Sequence, residues 1–130
     1  MDIYTVKTTD VIYPTSVDFV ARQCNADIHL VQYDSSQPVL AVELYKDGKK
    51  FVLPSDCEAN IRFAKHNGST VRKAALGCNA DRTIIYLAVD SQMTLYPGRA
   101  DPIVELTYNG SMVGSSPLRM VIDRNPVQNI

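Results

Sequence analysis

Residues 39–53 read VLAVELYKDGKKFVL, and the fold class follows from how they alternate. Val39, Ala41, Glu43 and Tyr45 fall on one side of an extended chain, and Leu40, Val42 and Leu44 fall on the other. That is the period of two that a strand produces. The alternation stops at an Asp47-Gly48 step. Glycine accepts the positive φ of a tight primed turn, so the chain is expected to fold back, with Lys49 to Leu53 as the second strand and Pro54 closing it.

Outward from this hairpin the same pattern recurs. Asn60 to Lys65 runs to an Asn67-Gly68 step and Thr70 to Leu76 follows, which predicts a second hairpin. Gly77 and the segment CNAD then turn the chain into RTIIYLAV, residues 82–89. Thr83, Ile85, Leu87 and Val89 share one face and Ile84, Tyr86 and Ala88 the other, so this strand is expected to be buried on both sides at the centre of a sandwich. A third step, Asn109-Gly110, is expected to join Ile103 to Tyr108 with Leu118 to Ile122. The one helical signal is turn-length, Ser91 to Leu95, with Asp90 or Ser91 as its cap. Short strands with turns about every ten residues predict an all-β antiparallel β-sandwich, Ig-like or jelly-roll-like, of about eight short strands.

The 130 residues, 45% hydrophobic and 21% charged, suit a single domain, residues 1–130. Such a domain buries roughly two-thirds of its unfolded surface. Thirteen basic residues against fourteen acidic ones leave a net charge of -1, which offers no excess to recruit nucleic acid or an anionic membrane. The longest apolar runs, such as Thr83 to Val89, fall far short of the ~20 residues of a membrane-spanning helix. MDIYTVKTTD at the start carries no basic region followed by an apolar core, so synthesis and folding in a cytoplasm are expected.

No motif for catalysis stands out. Cys24, Cys57 and Cys78 are odd in number and lie in no CxxC step, so reduced, partly buried thiols are expected. Adding His29 and His66 gives no closed zinc spacing. Cys24 and His29 are the nearest thiol and base, but five positions apart along a regular strand their side chains face opposite ways. Asp34, Asp56, Asp90 and Asp101 sit in or near turns, where aspartate bonds the backbone, and no loop alternates ligands as a calcium site does. No cofactor, no metal and no enzyme activity are expected, in the absence of GxSxG, HExxH or a phosphate-cradling glycine loop.

Seven tyrosines make a carbohydrate-binding module the alternative, because sugars stack on exposed rings, although tryptophan, which offers the best stacking surface, is absent. Mid-strand tyrosines are expected to pack with the hydroxyl at the rim. Tyr96 and Tyr108 lie beside turns and are better placed to meet a partner.

Two longer stretches, VDFVARQCNADIHLVQYD (17–34) and VDSQMTLYPGRADPIVELTYNG (89–110), bring these elements into an order with a likeness. Val17, Phe19 and Ala21 lead to Arg22-Gln23, and Leu30 to Asp34 is followed by the loop SSQP. ELYKDGKKFVL or IRFAKHNGSTVRKA then supplies a strand, a charged glycine turn and a strand. Ser91 to Thr94, Pro97-Gly98, VELTYNG and LRMVID close the chain. In order and spacing these segments, over about residues 11–123, resemble the N-terminal domain of the phage baseplate upper protein family. Two departures are visible. Cys24, Asn25, Ala26 and Asp27 stand where the family usually has a glycine-acidic pair, a turn that Asn25 is able to make. Ile130 falls where a helical segment and a distal domain usually follow, which implies a shortened chain or a short member.

The resemblance implies a structural adaptor of a phage or phage-like tail baseplate. Such a domain docks onto the distal tail protein, gathers as a homo-oligomer, and carries or supports receptor-binding proteins, all within the virion. Edge-strand addition and exchange of extended arms, 1–13 and 125–130, are the expected docking modes. The partner-contact residues expected on this reading are Tyr4 and Tyr13 in the first arm, Tyr96 and Tyr108 beside turns, and Pro126 in the last arm.

Overall fold

Most β-prone segments of the sequence form strands in the computed structural model, which describes residues 1–21, 27–31, 37–65 and 67–124. In chain order the strands are β1 (Asp10–Asp18), β2 (Ile28–Val31), β3 (Gln37–Lys46), β4 (Lys49–Lys50), β5 (Glu58–Ala64) and β6 (Thr70–Ala74). They continue as β7 (Gly77–Cys78), β8 (Ile84–Ala88), β9 (Gly98–Ala100), β10 (Ile103–Tyr108), β11 (Ser111–Gly114) and β12 (Met120–Asp123). Cys24, Asp34, His66 and Pro126, and with them the Arg22-Gln23 step and the arm 125–130, lie outside the described residues.

Three sheets share one core. The first runs β1-β3-β8-β7, with β4 also on β3; the second runs β11-β10-β5-β6; the third runs β2-β12-β9. Leu40, Val42, Leu44, Ile85 and Leu87 from the first meet Ile61, Val104 and Leu106 from the second and Ile28, Leu30, Met120 and Ile122 from the third. This is the all-β, sandwich-like architecture expected. The twelve strands among the described residues exceed about eight partly because β4, β7 and β9 are only two or three residues long.

The pairings are mixed. β1 lies parallel to β3, from Asp10 opposite Gln37 to Asp18 opposite Tyr45, and β2 lies parallel to β12. The reason is topological. Between β1 and β3 the chain joins the third sheet as β2, and a strand that returns after such an excursion is free to run parallel, which a hairpin forbids.

The turn chemistry is as read from the sequence. Asp47 and Gly48 both have positive φ, 54° and 79°, as do Asn109 and Gly110, 51° and 74°, which are primed turns. The strand partner expected after Asn109-Gly110 needs correction: β10 pairs with Ser111–Gly114, not with Leu118 to Ile122. A two-residue turn must pair the residues that follow it directly. The stronger alternation of Leu118, Met120 and Ile122 belongs instead to β12 of the third sheet. After Gly48 the ladder is shorter than expected, ending at Lys50, although the Phe51 amide still donates to Leu44 at 2.9 Å.

Asp18 ties the first hairpin to β1. It is buried, and its carboxylate accepts from the amides of Val20, Ala21, Asp47 and Gly48 at 2.7–2.9 Å. Burial by itself would raise its pKa, but Gly48, Val20, Asp47 and Ala21 all donate to the charged form and hold it at about 2.

Candidate functional site

At the N-terminal corner, residues 2–4 extend the first sheet beyond β7. The Cys78 amide donates to the Asp2 carbonyl at 3.0 Å, and the Tyr4 amide donates to the Cys78 carbonyl at 2.9 Å. Gly77 makes this possible: a Cβ there would lie 2.6 Å from the Asp2 carbonyl oxygen and 2.9 Å from Tyr4 Cβ. Tyr4 meets Tyr86, which is opposite Gly77, with ring centroids 5.4 Å apart. An aromatic ring thus covers the gap left by the glycine. The Tyr4 hydroxyl donates to Asp10 at 2.6 Å, and this bond lowers the Asp10 pKa and raises that of Tyr4. Arg82 completes the corner, donating to the carbonyls of Leu53, Pro54 and Met1 at 3.0, 2.7 and 3.4 Å.

So residues 2–4 lie along their own sheet, Thr8 and Thr9 turn the chain, and Asp10–Tyr13 already belong to β1. Tyr4 is half-buried, and Tyr13 packs against the core from β1. Ile3, Val6, Val11 and Ile12 remain exposed, the last two on β1, which is an edge strand. β11 is also an edge and exposes Met112 and Val113. The outer face of β8 is only partly covered, with Ala88 exposed, so the expectation of burial on both sides holds for one side only.

Around the 90–101 segment lies a concavity. Asp90 caps the turn as expected, accepting from the Gln92 amide at 2.7 Å while the Met93 amide donates to its carbonyl at 2.9 Å. The cleft beside it has a volume of about 400 Å³. Phe63, Met93 and Ile122 contribute apolar lining, and Lys65, Gln92, Arg99 and Asp101 contribute polar groups. Tyr96, 51% exposed, stands on its wall. Tyr108 is elsewhere, half-buried against the core at the end of β10.

A charged constellation on the second sheet was not anticipated. Glu105 on β10, 4% exposed, receives Arg72 Nε at 2.9 Å from β6 and lies 3.3 Å from Arg62 Nε on β5. All three point away from the core, since their strand neighbours Val104, Leu106, Ile61 and Phe63 face inward. His29 and Asp123 form an exposed pair at 3.2 Å on the third sheet. Cys57 and Cys78 are free and buried, and burial first and Glu58 second push the Cys57 thiol up. Among the described residues no group of three or more His, Cys, Asp or Glu could hold a metal ion.

No protein-family model and no curated protein matches the sequence. Among solved structures, the fold is similar to the N-terminal domain of phage TP901-1 ORF48, with a TM-score of 0.67 at 6% identity. The superposition covers 87% of this chain and 99% of that one. At this identity the likeness is one of backbone path. The resemblance read from the sequence is therefore met in the fold, which this chain shares with a phage domain along nearly its whole length.

Proposed function

We propose that the protein is a structural component of a phage tail baseplate. In this role it is an adaptor that docks onto the distal tail core and carries or supports receptor-binding proteins. The observation that carries this reading is the fold shared with a phage domain over 99% of that domain's length. The surface supports it. Two strands, β1 and β11, present exposed apolar side chains beside edges that are unpaired among the described residues, the form in which a sheet accepts a neighbour. No chemistry is required of such a part. A rigid sandwich fixes its loops and edges, and repeated copies in a particle add avidity.

The test is light scattering after size exclusion, on the chain alone and mixed with a phage distal tail protein. A defined co-eluting multimer is expected. A monomer indifferent to that protein would remove docking by this domain.

The Tyr96 cleft favours one second reading, a saccharide site. An exposed ring beside apolar lining and a rim of side chains that donate and accept is suited to a sugar. Tyr96→Ala should abolish binding on a glycan array and leave the melting curve unchanged. Tyr108→Ala is a poorer probe, because its ring packs on the core.

A further inference from the structure

The Arg62–Glu105–Arg72 group lies on the outer face of the second sheet, next to its β6 edge. Arg62 and Arg72 are directly opposite one another in the β5–β6 register, a placement that is unfavourable for like charges without a counter-charge. Glu105 supplies one, and it engages both guanidiniums through Nε. The Nη1 and Nη2 groups of both arginines have no hydrogen-bond partner among the described residues. Two guanidiniums against the one carboxylate they share leave this end of the face positive, the other acid on it, Glu58, standing at the start of β5 four residues from Arg62. The side chains of Arg62 and Arg72 are 36% and 52% exposed, so these edges are open to solvent. Their rotamers are already ordered, which lowers the cost of binding a ligand there.

β6 is itself an open edge. It ends the order β11-β10-β5-β6, its residues are mostly exposed, and its backbone bonds among the described residues go to β5 alone. A second copy of β6 would bring Arg72 and Lys73 against their own kind, which disfavours self-pairing. Lys73 is occupied with Asp90 at 3.1 Å, so Arg72 and Arg62 are the cations left for an incoming chain. A strand added to β6 would set a side chain roughly 5 Å from Arg72 on the same face. A carboxylate there would meet guanidinium edges shaped for bidentate pairing.

We propose that the β6 edge and the Arg62–Arg72 pair form a seat for an extended acidic segment of a partner protein, which adds to β6 as a strand and places a carboxylate on the two guanidiniums. This seat stands on its own chemistry, apart from the tail reading. In a tail particle it would define what the neighbouring protein presents.

The test is an NMR titration of the whole chain with a short peptide alternating glutamate and threonine. Shifts are expected in the β6 amides and in the Arg62 and Arg72 Nε resonances. Binding should weaken roughly tenfold or more in the R62Q/R72Q double variant. Since those changes leave Glu105 without its partners, two further peptides are titrated against the unaltered protein. One has lysine for glutamate, and the other is N-methylated along its pairing edge. Loss of binding by both is the expected result. Equal binding of either peptide, shifts centred away from β6, or no response to the acidic peptide would overturn the proposal. So would free glutarate reproducing the full effect, since a small anion adds no strand.

Discussion

Asp18 and Gly77 each hold a piece of chain in place, by opposite means. Asp18 acts through charge. Its folded pKa of about 2 lies below the ordinary 3.8, so the unfolded chain binds more protons between those values. The stabilisation is therefore complete above the unfolded value and is lost as pH falls through that window. In Asp18→Asn the amide nitrogen would face a backbone N–H, so the variant should melt lower at neutral pH. Its Tm should also depend less steeply on pH between about 4 and about 2 than that of the parent, as thermal melts across that range would show. Gly77 acts by having no side chain. Gly77→Ala would drive a methyl into the Asp2 carbonyl and Tyr4, displacing residues 2–4 and uncovering Tyr86. Faster proteolysis of the N-terminal segment, with the core transition retained, is the expected outcome. Neither role is visible in one residue's letter. Asp18 reads as a mid-segment aspartate, and Gly77 as a turn glycine, until their distant partners are placed.

At the scale of elements, the two-residue turns decide the pairings beside them. Gly48 and Gly110 have φ of 79° and 74° with open space around them, so the cost of a side chain there is one of conformation alone. Gly48→Ala and Gly110→Ala should each destabilise the protein by about 1 kcal/mol, measured by urea unfolding. Gly77→Ala should cost more than either, because it adds a clash. Both primed turns were legible as Asp-Gly and Asn-Gly. The strand after Asn109-Gly110 was not, because Ser111–Gly114 is wholly exposed and has no alternation to read, whereas Leu118, Met120 and Ile122 do. The Arg62–Arg72 pairing was not legible: a two-residue turn at Asn67-Gly68 would set Arg62 opposite Lys73, one residue out of the register found, and their counter-ion, Glu105, comes from a strand that only the assembled sheet brings alongside.

Across the whole molecule, the three sheets bury one contiguous core and should unfold together. Leu87 on β8 and Leu106 on β10 are both fully buried in it. Leu87→Ala and Leu106→Ala should each cost about 2–5 kcal/mol, and each should shift a single denaturation transition rather than split it. A split transition would mean that the third sheet melts alone. Because β1 pairs with β3, β10 with β5 and β2 with β12 across long stretches of chain, folding should be slow relative to a helical bundle of this size. Stopped-flow refolding tests that expectation.

Local physics explains which features the sequence determined by itself. Alternation of apolar residues has the period of the strand, and positive φ is easiest for Gly, Asn and Asp, so strands, primed turns and an all-β class follow from neighbours in the chain. The tertiary structure alone decided the parallel pairings, the laying of residues 2–4 onto β7, the cleft beside Tyr96 and the arginine pair on Glu105. Each joins residues far apart in the chain. Such contacts depend on which sheet a strand enters, and alternation records only which side of a strand faces inward, not the neighbour on its edge.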